Sequence, residues 1–182
     1  DMAEQYLNEG LTMARDLGDS VLEATILNNL GNLFTSQKRY EDAVYAYKES
    51  ILLSKETGNH LMTGIALSNA AMASIRKGEY NKARPLLDKA LYQVRTLDDS
   101  YYKAYGLINI GLAYRDLRPH FPESNESLLV LASEMFNEAF MVAENIGDPR
   151  TASFALGYLG NLYEDQHRYQ EALQLTRRAV FA

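Results

Sequence analysis

Apolar residues recur along this chain at spacings of three and four. Leu27, Leu30 and Phe34 point one way in helical projection, while Thr25, Asn28, Asn32 and Thr35 point the other, with Asn29 and Ser36 beside them. The same period runs from Met2 to Leu17, where Ala3, Leu7, Gly10, Leu11 and Ala14 form one stripe. The pattern breaks at Gly18-Asp19-Ser20, Gly58-Asn59, Asp98-Asp99-Ser100 and Gly147-Asp148-Pro149. These breaks combine residues that stop one helix with side chains that accept from the free amides of the next. Pro149 suits a first helical turn, where its missing donor costs nothing. The pattern predicts helices over about 20–37, 41–57, 61–77, 81–97, 101–117, 127–146, 150–166 and 169–181, after a leading helix over 2–17.

The sequence also repeats. A shift of 40 residues carries Gly31 to Ala71 and Gly111, Tyr40 to Tyr80, Ala43 to Ala83 and Gly58 to Asp98. A shift of 49 then carries Gly111 to Gly160, Ala90 to Ala139 and Asp98 to Gly147, so the third copy holds nine extra residues. They fall in a loop insertion at about 117–126, where Pro119 and Pro122 interrupt the helical pattern. Self-similarity of this period predicts an all-α solenoid whose units bury their apolar faces against their neighbours. The expected division is a leading second helix at 1–18, then repeats at 19–58, 59–98, 99–147 and 148–182 within a single array. Gly10, Leu11 and Gly18 align with Ser50, Ile51 and Gly58, which places the partner of the leading helix upstream and makes the chain an expected fragment of a larger protein. A glycine inside a helix costs about 1 kcal/mol relative to alanine. Gly31, Gly111 and Gly160 are therefore expected to permit close contact between paired helices, meeting Ala43, Ala132 and Ala172 as Ala71 meets Ala83.

Leu27, Leu30, Gly31 and Phe34, followed by Tyr40, Ala43 and Tyr47, resemble the two halves of a tetratricopeptide repeat. Matching residues are Leu67, Ala70, Ala71, Tyr80, Ala83, Leu87 and Ala90 in the second copy, and Leu107, Ile110, Gly111, Tyr114, Ala132, Phe136 and Ala139 in the third. The fourth has Leu156, Leu159, Gly160, Tyr163, Tyr169, Ala172 and Ala179. Departures are the absent tryptophan, Ser74 in place of an aromatic, Leu129 in place of the recurring tyrosine, and a period above the family's ~34 residues. The longer unit is similar to the variety in kinesin light chains, LGN-type polarity proteins and bacterial arrays fused to caspase-like CHAT proteases, the last being nearest in texture. The resemblance implies a right-handed superhelical solenoid of antiparallel helix pairs that binds protein or peptide partners in its concave groove.

Composition narrows the chemistry. The net charge of −6 disfavours phosphate-backbone binding, so no nucleic-acid partner is expected. No apolar run approaches the ~18 residues that a membrane span needs. There are no cysteines, and His60, His120 and His167 are scattered without a metal-ligand pattern. Glycine-rich phosphate loops and nucleophile elbows are absent from the sequence, so neither a catalytic role nor a cofactor is expected. The resemblance suggests a cytoplasmic location.

The face opposite the apolar stripe offers the candidate site. It carries Asn28, Asn29 and Asn32 in the first repeat, and Ser68, Asn69, Met72 and Ile75 in the second. The third contributes Tyr105, Ile108, Asn109, Leu112 and Arg115, and the fourth Phe154, Gly157, Tyr158, Asn161 and Glu164. Asparagine offers donor and acceptor together, which suits it to an extended peptide backbone, and its recurrence is not explained by helix propensity. The alternative is a ladder of asparagines bonded to adjacent helices or to water. Met72, Ile75, Ile108, Leu112, Tyr105 and Phe154 would supply an apolar floor. The reading is a protein- or peptide-binding scaffold; the rival is an intramolecular module regulating an attached catalytic or DNA-binding domain, the partner then being another part of the same protein. The family's clamp for acidic chaperone tails needs cations where this chain has Asn28, Asn32, Ser68, Met72, Ile108 and Leu112, so such tails should not bind. Leu173, Leu175, Val180 and Phe181 on the last helix predict weak self-association through the terminal helices.

Overall fold

The computed structural model describes residues 2–181, and for Phe181 the backbone only. Nine α-helices occur among the described residues: α1 (Met2–Leu17), α2 (Ser20–Ser36), α3 (Tyr40–Glu56), α4 (His60–Lys77), α5 (Tyr80–Arg95), α6 (Tyr101–Leu117), α7 (Asn125–Ile146), α8 (Pro149–Asp165) and α9 (Tyr169–Phe181). Strands are absent from this set. The helices form two compact units, Asp1–Thr96 and Leu97–Ala182. In the first, each helix packs on its sequence neighbours and α2 also packs on α4; in the second the same holds, with α6 on α8.

The first helix of every repeat is capped by the side chain expected for it. Asp19 accepts from the Leu22 amide, Asn59 from Met62, Ser100 from Lys103 and Asp148 from Thr151. Hydrogen bonds from the Thr151 hydroxyl and amide hold the Asp148 carboxyl below the ordinary aspartate range. The stability it contributes is therefore present at neutral pH and lost only as pH falls through that lowered value. The second helices α3 and α5 have no such cap. Arg39, at the cap position of α3, instead lies 4.3 Å over the Phe34 ring, bonds Asp42 at 2.8 Å and reaches Glu4 at 2.9 Å. Arg168 repeats the device before α9, lying 3.9 Å over Tyr163 and pairing with Glu171.

The turn inside each repeat was not legible in advance. Gly78 ends α4 with φ 86°, but at the corresponding places Lys38 and His167 adopt φ 60°. A side chain in this left-handed region costs about 1–2 kcal/mol, partly offset by glycine's greater freedom in the unfolded chain. Lys38→Gly should therefore raise stability by about 0.5–1 kcal/mol in urea-induced unfolding followed by circular dichroism. A neutral or destabilising result would show that the Lys38 conformation is not strained.

Inside a helix pair, the close approach differs from the expected glycine-to-alanine contact. A Cβ added to Gly31 would lie 2.4 Å from the Tyr47 ring, and one on Gly111 would lie 2.8 Å from the Phe136 ring. The glycines thus make room for aromatic side chains one turn beyond Ala43 and Ala132, both of which are also fully buried. At Gly160 the neighbours are Thr176 and the Ala172 carbonyl, so there the expected alanine does take part. A second tight crossing joins the other ends of the pair: Ser50 donates to the Ala24 carbonyl at 2.7 Å, and Ser153 to that of Ala179 at 2.6 Å.

The insertion in the third repeat folds into two short 3₁₀ turns, Arg118–His120 and Pro122–Ser124, closed by a 2.8 Å bond from Arg118 Nε to Asn125 Oδ1. The remaining extra length goes into α7, which has 22 residues against 17 in α3.

Candidate functional site

The first unit brings Asn28, Asn29, Asn32, Asn69 and Met72 to neighbouring stretches of α2 and α4, but not all to solvent. Asn28 is only 5% exposed and accepts at Oδ1 from Asn69 Nδ2 at 3.0 Å. These two amides form the ladder that was the alternative to ligand binding. Asn29 and Asn32 are exposed, while Asn69 and Met72 are half-buried. Asn32 Oδ1 accepts from the phenol of Tyr47 at 2.9 Å, and Tyr47 Oη lies 3.2 Å from the Thr35 hydroxyl. Burial pushes the Tyr47 phenol above its ordinary value, so it remains a donor at neutral pH. Tyr47 is absent from the site as drawn from sequence. It lies on α3, and only its register opposite Gly31 could have pointed to it.

In the second unit Tyr105, Asn109 and Asn161 are exposed, and Leu112, Arg115 and Tyr158 half-buried. Ile108 is corrected: it is 2% exposed and belongs to the core, not to an open apolar floor. It holds the repeat position of Asn28, where the first unit shows the first helix of the following repeat closing over the side chain. Helical projection misses this because it treats each helix as though it faced a single neighbour. Arg115 bonds Asp116 at 3.0 Å through Nη2, so its charge is already paired. Tyr158 stacks on Phe136 with ring centroids 5.8 Å apart. Phe154, Tyr158 and Asn161 of α8, with Thr176 and Val180 of α9, line an open cleft of about 510 Å³ whose α9 wall was not foreseen. Near the start of α6, exposed Tyr101 stacks on Tyr105 at 5.6 Å. Leu173 and Val180 are exposed and Leu175 half-buried, whereas the Phe181 side chain lies outside the described residues.

The ladder changes what Asn69 does. Removing its side chain leaves the buried Asn28 carbonyl oxygen without its partner, so Asn69→Ala should cost about 1–2 kcal/mol of stability. Asn109→Ala, at an exposed position, should stay within about 0.5 kcal/mol of the parent. Urea midpoints of the two variants check this, and equal midpoints would show that the amide ladder carries no stability.

Groups of three or more His, Cys, Asp or Glu side chains arranged to hold a metal ion are absent among the described residues. No described helix is long and apolar enough to cross a membrane.

Residues 1–56 match the family model of the tetratricopeptide repeat. No curated protein matches the sequence. Among solved structures, the chain is similar to BtubC (BKLC) from P. vanneervenii, with 23% identity, a TM-score of 0.74, and coverage of 97% of this chain and 70% of that one. It is also similar to nearly identical TPR-like repeats of the kinesin light chain type from Podosopora anserina, in two structures at 14% identity. Their TM-scores are 0.69 and 0.68, with 97% of this chain and 82% and 83% of theirs covered. The family model thus covers a tetratricopeptide repeat in residues 1–56, and the paired helices beyond it share the fold of these solved repeat structures.

Proposed function

We propose that the chain is a protein- or peptide-binding scaffold whose ligand lies along the first helices of its repeats, on α2 and α4 in one unit and on α6 and α8 in the other. The observation that carries this reading is the exposure of large aromatic side chains on that face. Tyr105 and Phe154 occupy one repeat position on α6 and α8 and are 44% and 45% exposed, next to the exposed amides of Asn109 and Asn161. Exposed aromatic rings beside adaptable polar groups suit recognition of another polypeptide. Acidic chaperone tails remain poor candidates, since Asn28, Asn32, Ser68, Met72, Ile108 and Leu112 supply no cation.

The test uses displayed 12-residue peptides selected on the folded chain, with affinities measured by calorimetry. Tyr105→Ala combined with Phe154→Ala should weaken the selected peptides by more than about tenfold, as loss of aromatic anchors does. The thermal midpoint should scarcely move. Peptides that bind this variant as they bind the parent would place recognition elsewhere on the molecule.

A further inference from the structure

We infer that the insertion of the third repeat forms a site for one acidic side chain of a bound polypeptide, with Arg118 taking the carboxylate and Asn125 positioning the guanidinium. The inference deepens the scaffold reading and rests on it. The nine extra residues occur in one repeat only, so the site is a feature of this chain and not of its repeat pattern. The insertion is a fixed arm. The Phe121 amide donates to the Arg118 carbonyl at 3.2 Å, the Ser124 amide to the Phe121 carbonyl at 3.0 Å, and the Phe121 side chain is half-buried. With the last turns of α6 and α8 this arm walls an open cleft of about 580 Å³, lined by Arg115, Asp116, Arg118, Pro119, Asn125 and Asp165. Arg115 belongs to the candidate face on α6, so the cleft adjoins the path given to the ligand.

What distinguishes Arg118 is its partner. Arg15 bonds Glu23, Arg39 bonds Glu4 and Asp42, Arg115 bonds Asp116 and Arg168 bonds Glu171, so a carboxylate neutralises each of these guanidiniums. Arg118 instead donates through Nε at 2.8 Å to the amide oxygen of Asn125, which orients the group and leaves its charge whole. Acids are at hand, since Asp116 stands two residues before Arg118 and Glu123 five after it. Among the described residues, Nη1 and Nη2 of Arg118 have no partner. A guanidinium held through Nε keeps parallel N–H donors on its outer edge, the geometry that takes a carboxylate with two bonds. The other charges of the cleft set the ligand's charge. Asp116 is bonded to Arg115, but Asp165, exposed at the end of α8, is in no ion pair among the described residues. Its negative charge opposes a phosphoryl dianion or a run of acids more strongly than a single carboxylate. The ligand class is thus a polypeptide with one isolated Asp or Glu at this point.

The test selects displayed 12-residue peptides in parallel on the parent, on Arg118→Gln and on Arg118→Glu, each shown by circular dichroism to keep the parent's helix content. The parent should enrich Asp or Glu at one peptide position, Arg118→Gln should show no preference there, and Arg118→Glu should enrich Lys or Arg. In calorimetry, replacing that acid by its amide should weaken binding to the parent about fivefold and leave binding to Arg118→Gln unchanged, a coupling that a mere change in stability does not produce. Asn125→Asp gives Arg118 a carboxylate within the protein and should abolish the acid preference as Arg118→Gln does. Asp165→Asn should tighten acid-bearing peptides about twofold to fivefold, and phosphoserine in the acid's place should bind no more tightly than the acid. An acid preference that survives in Arg118→Gln or in Asn125→Asp overturns the site. Unchanged binding in Asp165→Asn, or phosphoserine binding tenfold tighter than the acid, overturns the restriction to a single carboxylate. Selected peptides that need Tyr105 and Phe154 but show no acid preference overturn the site and leave the scaffold reading standing, whereas failure to select any peptide on the parent removes both.

Discussion

Gly31→Ala is expected to lower stability by about 2 kcal/mol, the reverse of what helix propensity alone gives. In an exposed helix this change stabilises by about 1 kcal/mol. At residue 31, however, the new Cβ would sit 2.4–2.8 Å from three atoms of the Tyr47 ring. The ring cannot swing away cheaply, because Tyr47 is only 1% exposed and its phenol is held by Asn32 and Thr35. Overpacking of this kind typically costs about 1–3 kcal/mol, enough to outweigh the propensity gain. Gly157, also in mid-helix but with no atom within 4 Å of an added Cβ, is the control: Gly157→Ala should stabilise by about 0.5–1 kcal/mol. The second repeat supplies the rescue, since it carries Ala71 and Leu87, both fully buried, where the first carries Gly31 and Tyr47. Gly31→Ala with Tyr47→Leu should therefore be more stable than the sum of the single changes predicts, by about 1 kcal/mol or more in a double-mutant cycle. Additive behaviour, or a stabilising Gly31→Ala, would mean that the helices separate easily and that their spacing is not set by this contact.

The same comparison shows what could be read in the chain and what could not. Helix starts were legible at Asp19, Asn59, Ser100 and Asp148 because an N-cap is a local device, made by one side chain and an amide three residues on. The repeat register was legible because it survives substitution at single positions. The pairing of Gly31 with Tyr47 was not, because it needs the rotation of two helices about each other, and periodicity places only the apolar side of each. The left-handed conformations of Lys38 and His167 escaped for a related reason: neither residue advertises positive φ, and only alignment with Gly78 hints at it. The candidate face was the least legible part. Single-helix projection turns Asn28 and Ile108 outward, whereas both are buried at a shared repeat position. For Asn28 the cause is visible in its bond with Asn69 on the first helix of the following repeat.

Phe136→Ala is expected to cost about 3–5 kcal/mol. Phe136 is fully buried on α7, and its ring fills the space that Gly111 leaves open on α6. Removing the ring creates a void beside a residue with no side chain to move into it, so little of the cavity can collapse and the cost should lie toward the upper end of that range. The change reaches the candidate face as well, because Tyr158 of α8 stacks on Phe136 at 26° between ring planes. Tyr158 should lose its support, and peptides selected on the parent should bind less tightly to whatever fraction remains folded. Phe140→Ala one turn later is the comparison. That side chain is half-buried beneath Arg178, whose guanidinium lies 5.1 Å from the ring, and a loss of about 1–2 kcal/mol is expected. Amide hydrogen exchange gives the local readout, with protection falling across α6, α7 and α8 in Phe136→Ala but chiefly between α7 and α9 in Phe140→Ala. Equal losses in the two variants, or undiminished protection in α6, would show that Gly111 and Phe136 do not form the interlock that sets this helix pair.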